Sequence, residues 1–187
     1  MGMKITEALA EVKTLNKRIS KKRENICKYL VRFDSVKDPL GDGGSEKFVV
    51  EQKQAHDDLV GRIVQIRTAI QITNNRTSLT VCGQTRTIAE WLTWRKECAG
   101  LDRGLIDKML SSIRNARDQS EKFKRETEAD GDKSQYDLFV GYDEGTLVKA
   151  EEAFEKIVSD LDGKLSLINA TTDISDKDFN TIDSLPD

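Results

Sequence analysis

The chain has 187 residues, 37% of them hydrophobic and 34% charged, with two prolines and a net charge of −3. That balance excludes a thick globular core and points to long helices with narrow apolar seams and solvated outer faces. The small negative charge excludes a general attraction to nucleic acid or anionic lipid, and no apolar run approaches the roughly 20 residues that cross a bilayer as a helix.

The first segment, Lys4 to about Phe33, places Ile5, Leu9, Val12, Ile19, Ile26, Leu30 and Phe33 at steps of three and four. Gaps fall at Asn16 and Arg23, which read either as polar residues in the seam that fix register or oligomer state, or as a part of the stripe that faces water. So narrow a stripe needs a partner helix. The opening MGMKITEALAEVK lacks the apolar stretch of a secretory signal, and Gly2 reads as incidental rather than as a myristoylation site. The run KRISKKR puts Lys17, Arg18, Lys21 and Lys22 in adjacent rows, able to meet phosphates or an acidic partner.

DSVKDPLGDGG, Asp34 to Gly44, is an exposed connector, with Pro39 and three glycines as breakers. Ser45 is the expected N-cap of a second helix running to about Ile72, striped by Phe48, Gln52, Ala55, Leu59, Ile63, Ile66 and Ile70. Two matched helices with a short connector predict an antiparallel hairpin. Asn74, Asn75 and Thr77 then close the second helix, since such side chains compete for backbone hydrogen bonds. SLTVCGQTRT alternates around Gly83 and predicts a short hairpin or turn. Thr87 and Glu90 form a capping box that opens a third helix.

That helix carries Ile88, Trp91, Leu92, Cys98, Leu101, Leu105, Met109 and Ile113, with Gly100 and Gly104 marking a kink or a close crossing. Of the two tryptophans, one belongs in the core and the other at an interface. Arg117 to Ser134 reads as a solvated helix end and loop. YDLFVGYDEGT holds a strand-like run, after which Thr146 caps a fourth helix striped by Leu147, Ala150, Phe154, Ile157, Leu161, Leu165 and Ile168. Thr171 to Asp187 is acidic, with Ile174, Phe179, Ile182 and Leu185 able to dock as an extended arm.

Three stretches carry a resemblance: MKITEALAEVKTLNKRI; the phrase IQITNNRTSL with its glycine turn and TIAEWLTWRKE; and LDGKLSLINATTDI. Together, over Met3 to Ile174, they resemble the septicolysin-like family, small helical bacterial and phage proteins mostly of unknown function. Its pattern is a first helix opening MKLAEAL and ending LQKRI, an Asn/Thr corner, a glycine, a TLxEALAERD helix and a closing LDxxIQxxNW. Ala170 stands where the family has an aromatic residue, and Arg95-Lys96 replaces its Arg-Asp pair, so no role at those positions carries over. The family name implies a haemolysin, yet no segment alternates long enough for a membrane hairpin, and the helical stripes are too polar to face lipid.

Catalytic chemistry has little to build on. His56 is the only histidine; it flanks seam residue Ala55 beside Asp57 and Asp58 and reads as a seam-edge side chain. Cys27, Cys82 and Cys98 are odd in number and lack metal spacing, which argues against a disulfide framework and for synthesis in a reducing cytosol. No glycine-rich loop follows a strand to bind a nucleotide.

The expectation is a mainly α protein: an antiparallel bundle of about four long helices, coiled-coil-like, with a small β-hairpin corner. Residues 1–170 form the bundle domain and 171–187 an acidic arm. The expected function is non-catalytic self-assembly, as an accessory building block of a larger particle such as a phage capsid or tail. No catalytic, cofactor or metal residue is assigned. The expected partners are further copies and other proteins of the assembly, with no membrane. The alternatives are a nucleic-acid-binding module on the first helix and a pore-forming protein. Interface candidates are Asn16, Arg23, Trp91, Trp94 and Phe179.

Overall fold

A computed structural model of the chain describes residues 2–40, 43–126, 137–175 and 178–179. In chain order they form β1 (Met3–Lys4), α1 (Ile5–Tyr29), α2 (Gly44–Arg76), β2 (Ser78–Val81), β3 (Gln84–Thr87), α3 (Ile88–Thr93), a π-helical turn (Trp94–Cys98), α4 (Ala99–Glu126), α5 (Glu144–Thr171) and β4 (Asp173–Ile174). The protein is mainly α, with two small antiparallel two-stranded sheets, β1–β4 and β2–β3, among the described residues. It divides into two compact units: residues 1–77 with 166–187, and residues 78–165. The expected boundary at residue 171 falls inside the first.

In the first unit α1 and α2 form the predicted antiparallel hairpin, with Glu11 facing Arg62, Lys22 facing Gln52 and Tyr29 facing Phe48. The seam of α1 holds Ile5, Val12, Ile19 and Ile26 as expected, but its other members differ. Its inward row is Ile5, Ala8, Val12 and Leu15, continued by half-buried Ile19, Lys22, Ile26 and Tyr29, an unbroken alternation of three and four. Leu9, Asn16 and Arg23 lie outside it, exposed. The polar member of the seam is Lys22, whose Nζ donates to Gln52 Oε1 at 2.9 Å. The deepest packing joins Ile5, Ala8, Val12 and Leu15 to Ile66, Ala69, Ile70 and Ile174, with Met3, Leu59, Ile63 and Phe179 against them.

α1 stops at Tyr29 rather than Phe33. Tyr29 already meets Phe48 one turn inside α2, so a longer α1 would have no partner helix to pack on. Asp38, not Ser45, caps α2. Its carboxylate accepts the Leu40 N–H at 2.9 Å, the Ser45 N–H at 2.8 Å and the Ser45 hydroxyl at 2.8 Å. Those bonds hold the Asp38 carboxyl below its usual pKa. α2 runs on to Arg76, so Asn74 and Asn75 belong to its last turn and do not close it. Thr77 does, its N–H and hydroxyl both donating to Thr73 O at 3.0 and 2.9 Å.

The segment after α5 completes this unit. β4 pairs with β1 in the register Met3↔Ile174 and Lys4↔Asp173. Gly2 is structural: a Cβ there would lie 2.6 Å from Ile174 O. Asp178 is buried and accepts from Arg76 Nη1 at 2.8 Å, and the Arg62 guanidinium lies 5.3 Å over the Phe179 ring. Ile182 and Leu185 lie outside the described residues.

The second unit begins with the expected hairpin, paired from Ser78↔Thr87 to Val81↔Gln84. Cys82 (φ 46°) and Gly83 (φ 82°) are both left-handed, as a two-residue type I′ turn requires. The tip is tied to α5: the Cys82 N–H donates to Asp160 Oδ2 at 3.0 Å, and Lys164 Nζ donates to Thr80 O at 2.7 Å and to Asp160 at 2.8 Å. The capping box at α3 is present, with the Thr87 N–H donating to Glu90 Oε2 at 2.7 Å and the Glu90 N–H to Thr87 Oγ1 at 3.2 Å. Trp91 is fully buried, its Nε1 donating to Leu79 O at 2.9 Å.

The π-helical turn at Trp94–Cys98 changes everything after it. Such a turn takes in one extra residue and rotates the following helix by about 100°. Leu101 and Leu105, expected in the stripe, are therefore exposed, at 74% and 61%. Cys98 faces outward too, as does Leu92 before the turn, whereas Met109 and Ile113 are half-buried as expected; α4 fully buries only Ala99 and Leu110 of its 28 residues. No described atom of this chain would touch a Cβ at Gly100 or Gly104, so these glycines serve no close crossing within it. α4 extends through Arg117 to Glu126; the remainder of the expected loop, 127–134, lies outside the described residues.

Residues 137–140 form no strand, and Asp143 rather than Thr146 caps α5, accepting the Thr146 N–H at 2.7 Å and its hydroxyl at 2.6 Å. The stripe of α5 is as expected, with Leu147, Leu161 and Leu165 buried and Ala150, Phe154, Ile157 and Ile168 half-buried. Arg103 bridges α4 to α5, reaching Glu151 at 3.0 Å and Glu155 at 2.6 Å, and Arg117 pairs with Glu144. These pairs make the two helices antiparallel. Among the described residues no helix is long and apolar enough to cross a membrane.

Candidate functional site

The outer face of α1 carries several charged and polar side chains that are unpaired among the described residues. Because the inward row takes every third and fourth residue from Ile5, a second row, Leu9, Lys13, Asn16, Ser20, Arg23 and Cys27, runs parallel to it at the same spacing. A shallow groove of about 380 Å³ is lined by Leu9, Val12, Lys13, Asn16, Lys17, Ser20 and Arg67 of α2. A second, of about 390 Å³, continues it through Ser20, Arg23, Glu24 and Cys27. Of the two readings of Asn16 and Arg23, the solvent-facing one holds: both are exposed and line an open groove.

On the opposite flank of the hairpin, a groove of about 490 Å³ is lined by Arg18, Lys21, Lys22, Asn25, Ala55, Asp58 and Leu59. The basic patch is therefore split. Lys17 lies on one side and Arg18 and Lys21 on the other, while Lys22 is half-buried against Gln52. Among the described residues, Lys13, Lys17, Arg18, Lys21, Arg23 and Arg67 form no ion pair, whereas Arg32, Arg62, Arg76, Arg95, Arg103 and Arg117 each do.

The remaining candidates are engaged within the chain. Trp94 is half-buried, edge-on to Trp91 with centroids 5.7 Å apart and tilted against Phe154 at 6.0 Å, while its Nε1 donates to Asp102 at 3.3 Å. Arg86 stacks 4.8 Å over the Trp91 ring. Phe179 packs on its own unit's core. Thr73 Oγ1 and Asn74 Oδ1 are buried with no hydrogen-bond partner among the described residues. His56 Nδ1 lies 3.1 Å from Asp57 Oδ1. Cys27, Cys82 and Cys98 are free and exposed, and among the described residues no group of three His, Cys, Asp or Glu converges as a metal site.

A second class of surface is apolar. Leu101 and Leu105 stand out on α4, Val50, Val60 and Val64 on α2, and Val31 and Phe33 in the connector after α1. Sequence reasoning missed the α4 surface because nothing local announces a π turn. It missed the α1 groove because Ala8 and Leu15, which continue the inward row, were left out of the stripe. Comparison with protein-family models, with curated proteins and with solved structures finds no match to this chain.

Proposed function

We propose that the protein is a non-catalytic, self-associating structural protein of the septicolysin-like kind, a building block of a larger particle such as a phage virion. The observation that carries this reading is the outward surface of α4. A 28-residue helix that buries two residues of its own chain while exposing Leu101 and Leu105 is poorly covered as a single copy. Exposed leucines in adjacent turns are the anchors a helix–helix interface uses. Val60 and Val64 on α2 repeat the arrangement one turn apart.

The test is the molar mass by light scattering at micromolar concentration. A mass of two or more chains is expected, reduced to one chain by Leu101→Lys with Leu105→Lys. A single-chain mass for the unaltered protein would remove the reading.

A further inference from the structure

We infer that the groove along the outer face of α1 binds the phosphodiester backbone of a nucleic-acid strand, independently of base sequence. It runs from Leu9 to Cys27, about 27 Å at the helical rise of roughly 1.5 Å per residue. Lys13, Lys17, Arg23 and Arg67 supply four cations along it, with the Asn16 amide and the Ser20 hydroxyl between them as neutral donors. None of these cations is ion-paired among the described residues, and Glu24, at one end, is the only carboxylate lining the groove.

The net charge of −3 does not cancel this field. Exposed charges act over a Debye length of about 10 Å at 0.1 M salt, so the local row decides what approaches. The row also selects among anionic occupants. An incoming helix would need apolar side chains along the middle of the groove to receive its own apolar ridge. Instead the middle holds Lys13, Asn16, Lys17 and Ser20, and the apolar Leu9, Val12 and Cys27 stand only at its ends. Lys13, Lys17 and Arg67 line one groove and Arg23 its continuation, so a strand carrying a charge on every unit meets all four without needing a fixed register. With no aromatic side chain in the lining there is no platform for stacking a base, so contacts go to phosphates and carry no sequence preference.

The experiment is fluorescence anisotropy of a fluorescein-labelled 20-nucleotide deoxythymidine strand titrated with the full chain at 50 and 200 mM salt. Four phosphate contacts give a slope of log affinity against log salt of about −3, or roughly fiftyfold weaker binding across that range. Lys17→Glu with Arg23→Glu is expected to abolish binding at 200 mM salt. Lys17→Gln with Arg23→Gln halves the slope and leaves the thermal melt unchanged. Lys17→Arg with Arg23→Lys restores binding, and Lys149→Glu with Lys156→Glu, exposed on α5, leaves it within twofold. Three results overturn the proposal: no binding at 50 mM salt, equal losses in the α1 and α5 reversals, or binding as tight to polyglutamate or to phosphatidylglycerol vesicles as to the oligonucleotide. None of these readouts depends on self-association.

Discussion

Lys22 and Gln52 meet in the seam between α1 and α2, the lysine ammonium donating to the glutamine amide oxygen at 2.9 Å in a row otherwise filled mostly by apolar side chains. A lone polar pair in a seam sets which turn of one helix faces which turn of the other, because any slip separates the two groups. Replacing one partner leaves the other half-buried and unpaired, at a cost of about 1 kcal/mol. Lys22→Leu together with Gln52→Leu is expected to equal or exceed the parent in stability while loosening register. A double-mutant cycle by chemical denaturation measures the first effect, and hydrogen exchange along the hairpin the second.

The indole of Trp91 closes the second unit, buried beneath Leu79 and covered by Arg86. Trp91→Ala is expected to cost about 3–5 kcal/mol. Trp91→Phe keeps most of the volume but removes the indole bond to Leu79 O, for about 0.5–1.5 kcal/mol. Denaturation followed by far-ultraviolet circular dichroism distinguishes the two.

The Cys82-Gly83 turn carries the wrong residue at one of its two left-handed positions. Asparagine tolerates that conformation better than cysteine, so Cys82→Asn is expected to raise the melting temperature. The N–H bond to Asp160 is a backbone bond and survives the change. Gly83→Ala, at φ 82°, is expected to destabilise by about 1–2 kcal/mol. Paired thermal melts check both signs.

Acid should loosen both units together. Backbone and hydroxyl donors lower the carboxyl pKa of Asp38, through Ser45 and Leu40, and of Asp143, through Thr146. Glu90 is lowered likewise by Thr87, and Asp160 by Lys164 and the Cys82 N–H. A carboxylate with a lowered folded-state pKa adds stability above its unfolded value near 4, and loses it as pH falls through the folded value. Stability should therefore be flat from about pH 7 to 5 and drop below about pH 4. Asp143→Asn, which keeps an N-cap acceptor but not the charge, should flatten part of that drop in a pH series of melts.

What could be read beforehand was whatever rests on short, contiguous chemistry. Thr87 and Glu90 are three residues apart and cap α3 as foreseen, and the stripe of α5 from Leu147 to Ile168 meets no interruption. The α1 row was right at Ile5, Val12, Ile19 and Ile26 and wrong between them, where Ala8 and Leu15 face inward while Leu9 and Phe33 stand outside. The α4 row failed at Leu101 and Leu105 because the π-helical turn at Trp94–Cys98 resets its phase, and no spacing in the sequence announces that turn. Two caps were misplaced because Asp38 and Asp143 hold their helices from seven and three residues before Ser45 and Thr146. The groove on α1 became visible only once Asn16 and Arg23 were seen facing away from α2.

The pairing of β1 with β4 bears on how the molecule is made. Ile5 and Ile174 share one cluster, yet roughly 100 residues separate the end of α2 from Ile174. At translation speeds of about 5–20 residues per second, the hairpin waits some 5–20 s with that cluster unsealed. During synthesis, therefore, the hairpin's cluster around Ile5 and Ile66 stays open on the side that Ile174 later covers, until Asp173 and Ile174 emerge.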